Sequence, residues 1–205
     1  MKSADASMTA ELLAALGVAD PADPAATAAV EARLVERARA GDARALRSIY
    51  DAYHGLVRAH LRRLLGADPE IDDLVQIIFV RAFAALDRFR GGSTLATWLF
   101  RITANTSHNL LRQRYRRARV KSALRWFDEG RGAHRSEGLL DARQQAERLL
   151  QQLHPDLREA FVLYHYEGLS LPEIAAVLEK PVSTVGDRLT RARRRLHALV
   201  HGEAA

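Results

Sequence analysis

The chain has 205 residues, a formal net charge of +6 from 31 Lys+Arg against 25 Asp+Glu, and 48% hydrophobic residues. This is room for one or two domains with real cores and a basic surface that attracts polyanions. It holds no cysteine, which excludes a disulfide framework and a thiolate zinc site and fits a reducing cytoplasm. No basic region followed by a long apolar run opens the sequence, and no apolar stretch nears the roughly 18 residues of a spanning helix, so neither secretion nor membrane insertion is expected.

An alanine-rich opening, in which Glu11 to Leu16 suits a short helix, ends in the breaker Asp20-Pro21-Ala22-Asp23-Pro24; residues 1–26 are expected to be a loosely held extension. From Thr27 to Ala40 a helical pattern runs through Val30, Leu34 and Ala38, and Gly41-Asp42 stops it and caps the next helix. That next helix is long, with Leu46, Ile49, Tyr50, Tyr53, Leu56, Val57, His60, Leu61 and Leu64 on one face and Gly66-Ala67-Asp68-Pro69 closing it. His60 lies inside the stripe and reads as a packed core histidine; neither it nor His54 has a metal-site partner at helical spacing, and no metal or cofactor is expected.

Residues 70–88 form a further helix whose inward stripe is Ile71, Leu74, Val75, Ile78, Phe79, Ala82, Phe83 and Leu86. Its opposite face carries Asp72, Asp73 and Gln76, then Ile77 and Val80, two aliphatics that the stripe does not need. An acidic pair ending in an apolar patch suits a docking surface; acid-base chemistry would need a pocket that nothing here builds. The two aspartates also favour the positive end of the helix dipole.

The loop Phe89-Arg90-Gly91-Gly92-Ser93-Thr94 leads into a helix from Leu95 to about Arg117, in which Leu95, Trp98, Leu99, Ile102 and Thr106 are expected to pack. Arg101, Asn105, His108 and Arg112 make a polar stripe along it, able to follow a nucleic-acid strand. Its end, RQRYRRARVK from Arg112 to Lys121, carries six positive charges in ten residues with Tyr115 among them, a combination suited to phosphates and stacking. From Ser122 to Gly138 periodicity fails, and a flexible linker is expected there.

Helical pattern resumes at Leu139, with Leu149, Leu150, Leu153, Leu157, Phe161 and Tyr164 on two helices broken near His154-Pro155. They support a helix-turn-helix from Gly168 to Leu196. Ser170 with Glu173 reads as a capping box, Pro172 is tolerated in the first turn, and Glu179-Lys180-Pro181 ends the first helix behind Ile174, Val177 and Leu178. Ser183 is expected to cap the second helix. Val185, Leu189, Ala192, Leu196 and Leu199 then face inward, leaving Thr184, Asp187, Arg188, Arg191, Arg194 and Arg195 outside, with Gly186 allowing close approach. Such a face suits a major groove, where arginine grips guanine edges or phosphates and Asp187 accepts from a cytosine amine. The fold expected is all-α: two helical domains, 27–117 and 139–205, joined by a flexible linker over 118–138, the second a helix-turn-helix.

These motifs resemble the extracytoplasmic-function (ECF) sigma factors of bacterial RNA polymerase, within the sigma-70 family, over roughly Val35 to Val200. DDLVQ at 72–76, FVRAF, and FRGGSTLATWLFRITANTSHNLLR are similar to the region that binds the polymerase clamp and melts the minus-ten element. LHPDLREAFVLYHYEGLSLPEIAAVL and PVSTVGDRLTRARRRL are similar to the region that reads the minus-thirty-five element. Departures are Ile77 at a usually acidic place, Glu179 for a usual glycine in the turn, and Ser183, Gly186 and Asp187 within a usual GTVKS pattern.

The resemblance implies a protein, not itself an enzyme, that binds core RNA polymerase, directs it to promoter DNA and opens it, with an anti-sigma protein as a further partner. It implies core binding by Asp72, Asp73, Gln76, Ile77 and Val80, and minus-ten contacts from Arg90, Ser93, Thr94, Trp98, Arg101, Asn105, His108 and Arg112. Minus-thirty-five contacts would come from Ser183, Thr184, Gly186, Asp187, Arg188, Arg191, Arg194 and Arg195. A DNA-binding regulator acting without polymerase would explain the C-terminal half but leave the DDLVQ face and the tryptophan helix without a partner. An enzyme using Asp72, Asp73 and a histidine lacks any accompanying nucleophile, metal or phosphate-cradling motif.

Overall fold

The structure, a computed structural model, describes the backbone of residues 24–128 and 142–201 and the side chains of 29–117 and 145–201. The short helix expected at Glu11 to Leu16 lies outside the described residues. Every regular element among them is helical: α1 Pro24–Arg39, α2 Ala43–Leu65, α3 Ile71–Ala84, a 3-10 turn Leu86–Arg88, α4 Leu95–Asp128, α5 Ala142–Gln151, α6 Pro155–His165, α7 Leu171–Leu178 and α8 Val182–His201.

The all-α class is as expected, and four boundaries move. The helix expected over residues 70–88 ends at Ala84, and Leu86–Arg88 forms a separate 3-10 turn in which Leu86 is still buried. The first described helix begins at Pro24, inside the stretch expected to be loose, because proline's fixed φ and missing N–H suit a first helical position. Helix α4 runs on to Asp128, past Arg117 and through Ser122. Loss of an apolar stripe does not end a helix whose residues still have helical propensity; the rest of the expected linker, 129–138, lies outside the described residues. Helix α8 begins before Ser183, with the Val185 amide donating to the Pro181 carbonyl at 3.2 Å, so Ser183 sits in the first turn and is not the cap.

The chain divides into two compact units, Met1–Ala59 with Glu70–Thr103, and His60–Pro69 with Ala104–Ala205, a division that passes through α2 and α4. In the first unit Val35, Ile49, Val57, Ile78, Leu95 and Leu99 are buried, and Tyr50 meets Phe79 edge-on with ring centroids 4.9 Å apart. Glu31 organises one side of this unit. It accepts the Tyr53 hydroxyl and, at 3.1 Å, the Leu95 amide that opens α4, where a carboxylate complements the positive helix end. Burial, and then the neighbouring Glu31 carboxylate, push the Tyr53 phenol well up from its ordinary range. Arg39 donates to the Leu86 and Phe89 carbonyls and so fixes the loop before α4.

In the second unit Leu64 and Leu111 join Leu150, Leu153, Val162 and Ala192 in one apolar cluster. Arg158, 4% exposed, serves as its polar brace. Its guanidinium donates to the Leu64 carbonyl at the end of α2, to the Gln151 side chain and carbonyl at 2.6 and 2.7 Å, and to the Leu153 carbonyl at 3.0 Å. Helix ends leave carbonyls without partners, and one arginine here serves two of those ends. Burial lowers the Arg158 pKa to about 10. The Ser170–Glu173 capping box forms as expected, and Glu179 adopts a left-handed φ of 53° in the turn to α8, a conformation that glycine takes without steric cost.

Candidate protein and nucleic-acid interfaces

Helix α3 buries Ile71, Leu74, Val75, Ile78, Phe79 and Ala82, which leaves the intervening positions outward. Asp72, Asp73, Gln76, Ile77 and Val80 are all exposed, Ile77 at 44% and Val80 at 69%. One partner was not anticipated: Arg58 of α2 donates to Asp72 at 2.7 Å and holds its carboxyl below the ordinary carboxylate range. No signal in the sequence pairs positions 58 and 72, because the contact depends on how α2 and α3 pack. Both members are exposed, so water screens the pair and a competing partner can replace it at small cost.

In the loop before α4, Arg90 and Ser93 are exposed, and Phe89 is buried against Trp98 with centroids 5.4 Å apart. Trp98 is half-buried. Thr94 caps α4, its hydroxyl accepting the Thr97 amide at 3.1 Å. The α4 stripe departs from expectation in phase. Thr97, Thr103 and Ser107 are buried with Leu95, Leu99, Phe100, Ala104 and Leu111, whereas Ile102 and Thr106 are only half-buried. The Thr103 hydroxyl satisfies itself on the Leu99 carbonyl at 2.8 Å, which lets a polar residue occupy a core position.

Arg101, Asn105 and Arg112 are exposed along α4. His108 is the exception within the stripe. Its Nδ1 lies 3.6 Å from a carboxylate oxygen of Glu159, which is almost wholly buried. The Glu159 interaction first, and then the fields of Glu159 and Asp156, raise the His108 pKa above the ordinary histidine value, against burial and Arg112.

On α8, Val185, Leu189 and Ala192 are buried as expected, and Leu196 and Leu199 are half-buried. Ser183, Asp187, Arg191, Arg194 and Arg195 are exposed; Thr184 and Gly186 are intermediate. A Cβ at Gly186 would meet nothing within 4 Å, so the fold itself makes no use of the missing side chain. Asp187 and Arg191 pair at 3.5 Å with both side chains about two-thirds open to water, an arrangement easily exchanged for another partner. Arg188 corrects the expected outer face: its Nη2 donates to Asp156 of α6 at 3.1 Å and its side chain is only 14% exposed. One residue before Leu189 and three after Val185, position 188 flanks the buried stripe, and a long side chain there reaches the neighbouring helix.

Among the described residues no cluster of three His, Cys, Asp or Glu side chains could hold a metal ion, and no helix is long and apolar enough to cross a membrane.

The family model of sigma-70 region 2 matches residues 49–117, and that of sigma-70 region 4 matches residues 143–196. The ECF RNA polymerase sigma-E factor of Escherichia coli K12 is 37% identical over 171 residues, covering 78% of this chain and 88% of that protein. The RNA polymerase sigma-H factor of Pseudomonas aeruginosa is 37% identical, over 78% of this chain and 89% of its own. Among solved structures, CnrH in complex with the cytosolic domain of CnrY matches with a TM-score of 0.61 at 33% identity, over 85% of this chain and 99% of that one. The sigma factor RpoE of Bartonella quintana, solved with the anti-sigma factor NepR, matches with a TM-score of 0.58 at 30% identity, over 77% of this chain and 98% of that one. With both sigma regions matched in order and close relatives spanning most of its length, the chain belongs to the ECF sigma factors of bacterial RNA polymerase.

Proposed function

We propose that this sigma factor docks on core RNA polymerase through Asp72, Asp73, Gln76, Ile77 and Val80, and acts with it in the cytoplasm without making or breaking a bond itself. In this reading residues 27–117 form the region 2 domain and 139–205 the region 4 domain, consistent with the matched spans 49–117 and 143–196. The observation that carries the proposal is the α3 face, where two aliphatics stay open to water beside two carboxylates although the helix has a complete inward stripe. A regulator working without polymerase would have no use for that face. An apolar centre ringed by polar groups is how a protein interface concentrates its binding energy.

Promoter contact is assigned to two places. At the minus-ten element Arg90, Ser93, Arg101, Asn105 and Arg112 meet the opened strand, with Thr94 and Trp98 shaping the base pocket and His108 joining once released from Glu159. At the minus-thirty-five element Ser183, Thr184, Gly186, Asp187, Arg191, Arg194 and Arg195 face the major groove, and Arg188 reads it while steadied by Asp156. An anti-sigma protein is a natural partner, since RpoE was solved with one.

Transcription from a promoter library with core polymerase, with and without the protein, tests the function. Start sites that appear only with the protein are expected, and their absence refutes it. Asn105→Ala should then reduce permanganate reactivity of minus-ten thymines; normal opening would remove Asn105 from the site.

A further inference from the structure

A pocket of about 410 Å³ in the second unit is lined by Leu65, Leu111, Arg114, Tyr115, Arg117, Gln151 and Arg158. Three arginines belong to its lining and, among the described residues, no carboxylate does. One of the three, Arg114, pairs with Asp68. Arg158 is the informative member. It is 4% exposed, and each of its acceptors is a neutral oxygen: the Leu64, Gln151 and Leu153 carbonyls and the Gln151 side-chain amide. Its Nε is buried with no hydrogen-bond partner.

Helix-end carbonyls offset part of the cost of such a cation but do not cancel its charge, and a buried charge without a counter-ion is costly. Arg117 lines the pocket and is itself exposed. Leu65, Leu111 and the half-buried Tyr115 add apolar and aromatic surface to the same lining. Several arginines converging on one cavity with an aromatic beside them match a phosphate group that carries a flat or apolar attachment. The volume lies in the range of small-molecule sites.

We propose that this pocket binds a small phosphorylated anion, of the class of pyrophosphate or a nucleoside diphosphate, with Arg114 and Arg117 contacting the phosphate and Arg158 supplying charge from behind. A free anion fits better than a passing duplex backbone, because Arg158 lies below the surface, reached only by a group that enters. The proposal is independent of the polymerase and promoter assignments. It places a ligand where α4, α5 and α6 meet the end of α2, so that occupancy stabilises the second unit.

The test is calorimetric titration of the full chain with pyrophosphate, and separately with ADP, at constant ionic strength. One saturable site is expected, with a rise in melting temperature. Arg117→Glu should weaken it by about tenfold or more, whereas Arg116→Glu, an equal charge change on an exposed residue that does not line the pocket, should leave affinity within about twofold. Neither variant should change the melting temperature of the free protein. Absence of saturation at millimolar ligand overturns the proposal, as does an equal loss from both variants, which would mean diffuse attraction to a basic surface. Stoichiometric displacement of pyrophosphate by a short duplex would overturn it too, by making the pocket part of a DNA path.

Discussion

Glu167 and His60 meet in the interior of the second unit, the His60 Nδ1 lying 2.9 Å from Glu167 Oε1 with their side chains 0% and 2% exposed. The same carboxylate oxygen accepts Arg63 at 3.0 Å. This places a region 4 residue, from the turn after α6, on two residues of α2. Removing one member of a buried charged cluster leaves the others desolvated without compensation, at a cost of about 3–5 kcal/mol. Glu167→Ala should therefore lower unfolding stability by about that much in urea titrations. A loss below about 1 kcal/mol would show that the cluster opens to water in solution.

Arg158 is expected to be the most sensitive single position of that unit. Arg158→Met keeps much of the packing but orphans carbonyls at Leu64, Gln151 and Leu153, each worth about 1–3 kcal/mol when buried and unsatisfied. Circular dichroism melts should show a large drop, partly recovered in Arg158→Lys, whose ammonium satisfies some but not all of the acceptors.

The His108 shift has a defined sign. Its folded pKa is raised above 6.5, chiefly by Glu159, so folding takes up protons there. The stabilisation is present at pH values below the unfolded pKa and is lost as pH rises through the folded one. Asp156 also favours its charged form and Arg112 opposes it. His154 and His165 are shifted the other way by burial and contribute the opposite slope. The clean observable is a difference: the melting-temperature gap between the native chain and His108→Gln should narrow as pH is raised from about 6 to about 8. A gap independent of pH would mean that His108 and Glu159 do not interact in solution.

On α8 two neighbouring arginines should behave differently. Arg191 is 63% exposed, so Arg191→Ala should cost about 1–3 kcal/mol of promoter affinity where it contacts a base, with no change in the free fold. Arg188→Ala should lower promoter affinity and also melting temperature, because it removes the partner of Asp156. Mobility shifts beside thermal melts separate the two; unchanged binding in both variants would exclude this face from recognition.

Ile77 has an apolar side chain 44% exposed in the free protein. Ile77→Ala should weaken core polymerase binding by about 1–2 kcal/mol while leaving the melt unchanged. Since a buried apolar contact is not screened, this part of the affinity should persist at high salt, where charged contributions fade. A destabilised free fold with core affinity intact would move Ile77 into the core of its own helix.

Local features were legible from residue order because their causes are local. The Ser170–Glu173 box, the Gly41–Asp42 punctuation, the outward set on α3 and the buried Val185, Leu189 and Ala192 each follow from spacing and capping chemistry within a few residues. The order and spacing of DDLVQ, the tryptophan helix and the helix-turn-helix were likewise enough to indicate the family.

What only the tertiary structure decided are the partners of charged side chains remote in sequence. Asp72 on Arg58, His108 near Glu159, Arg188 on Asp156 and Glu167 on His60 and Arg63 are each set by which helices pack together. Periodicity identifies a buried stripe, but it treats a charged residue at the edge of that stripe as solvent-facing. Whether a long side chain there turns to water or to a neighbouring helix depends on an opposite charge arriving from another element. That information resides in the packing of the helices, and no single helix contains it.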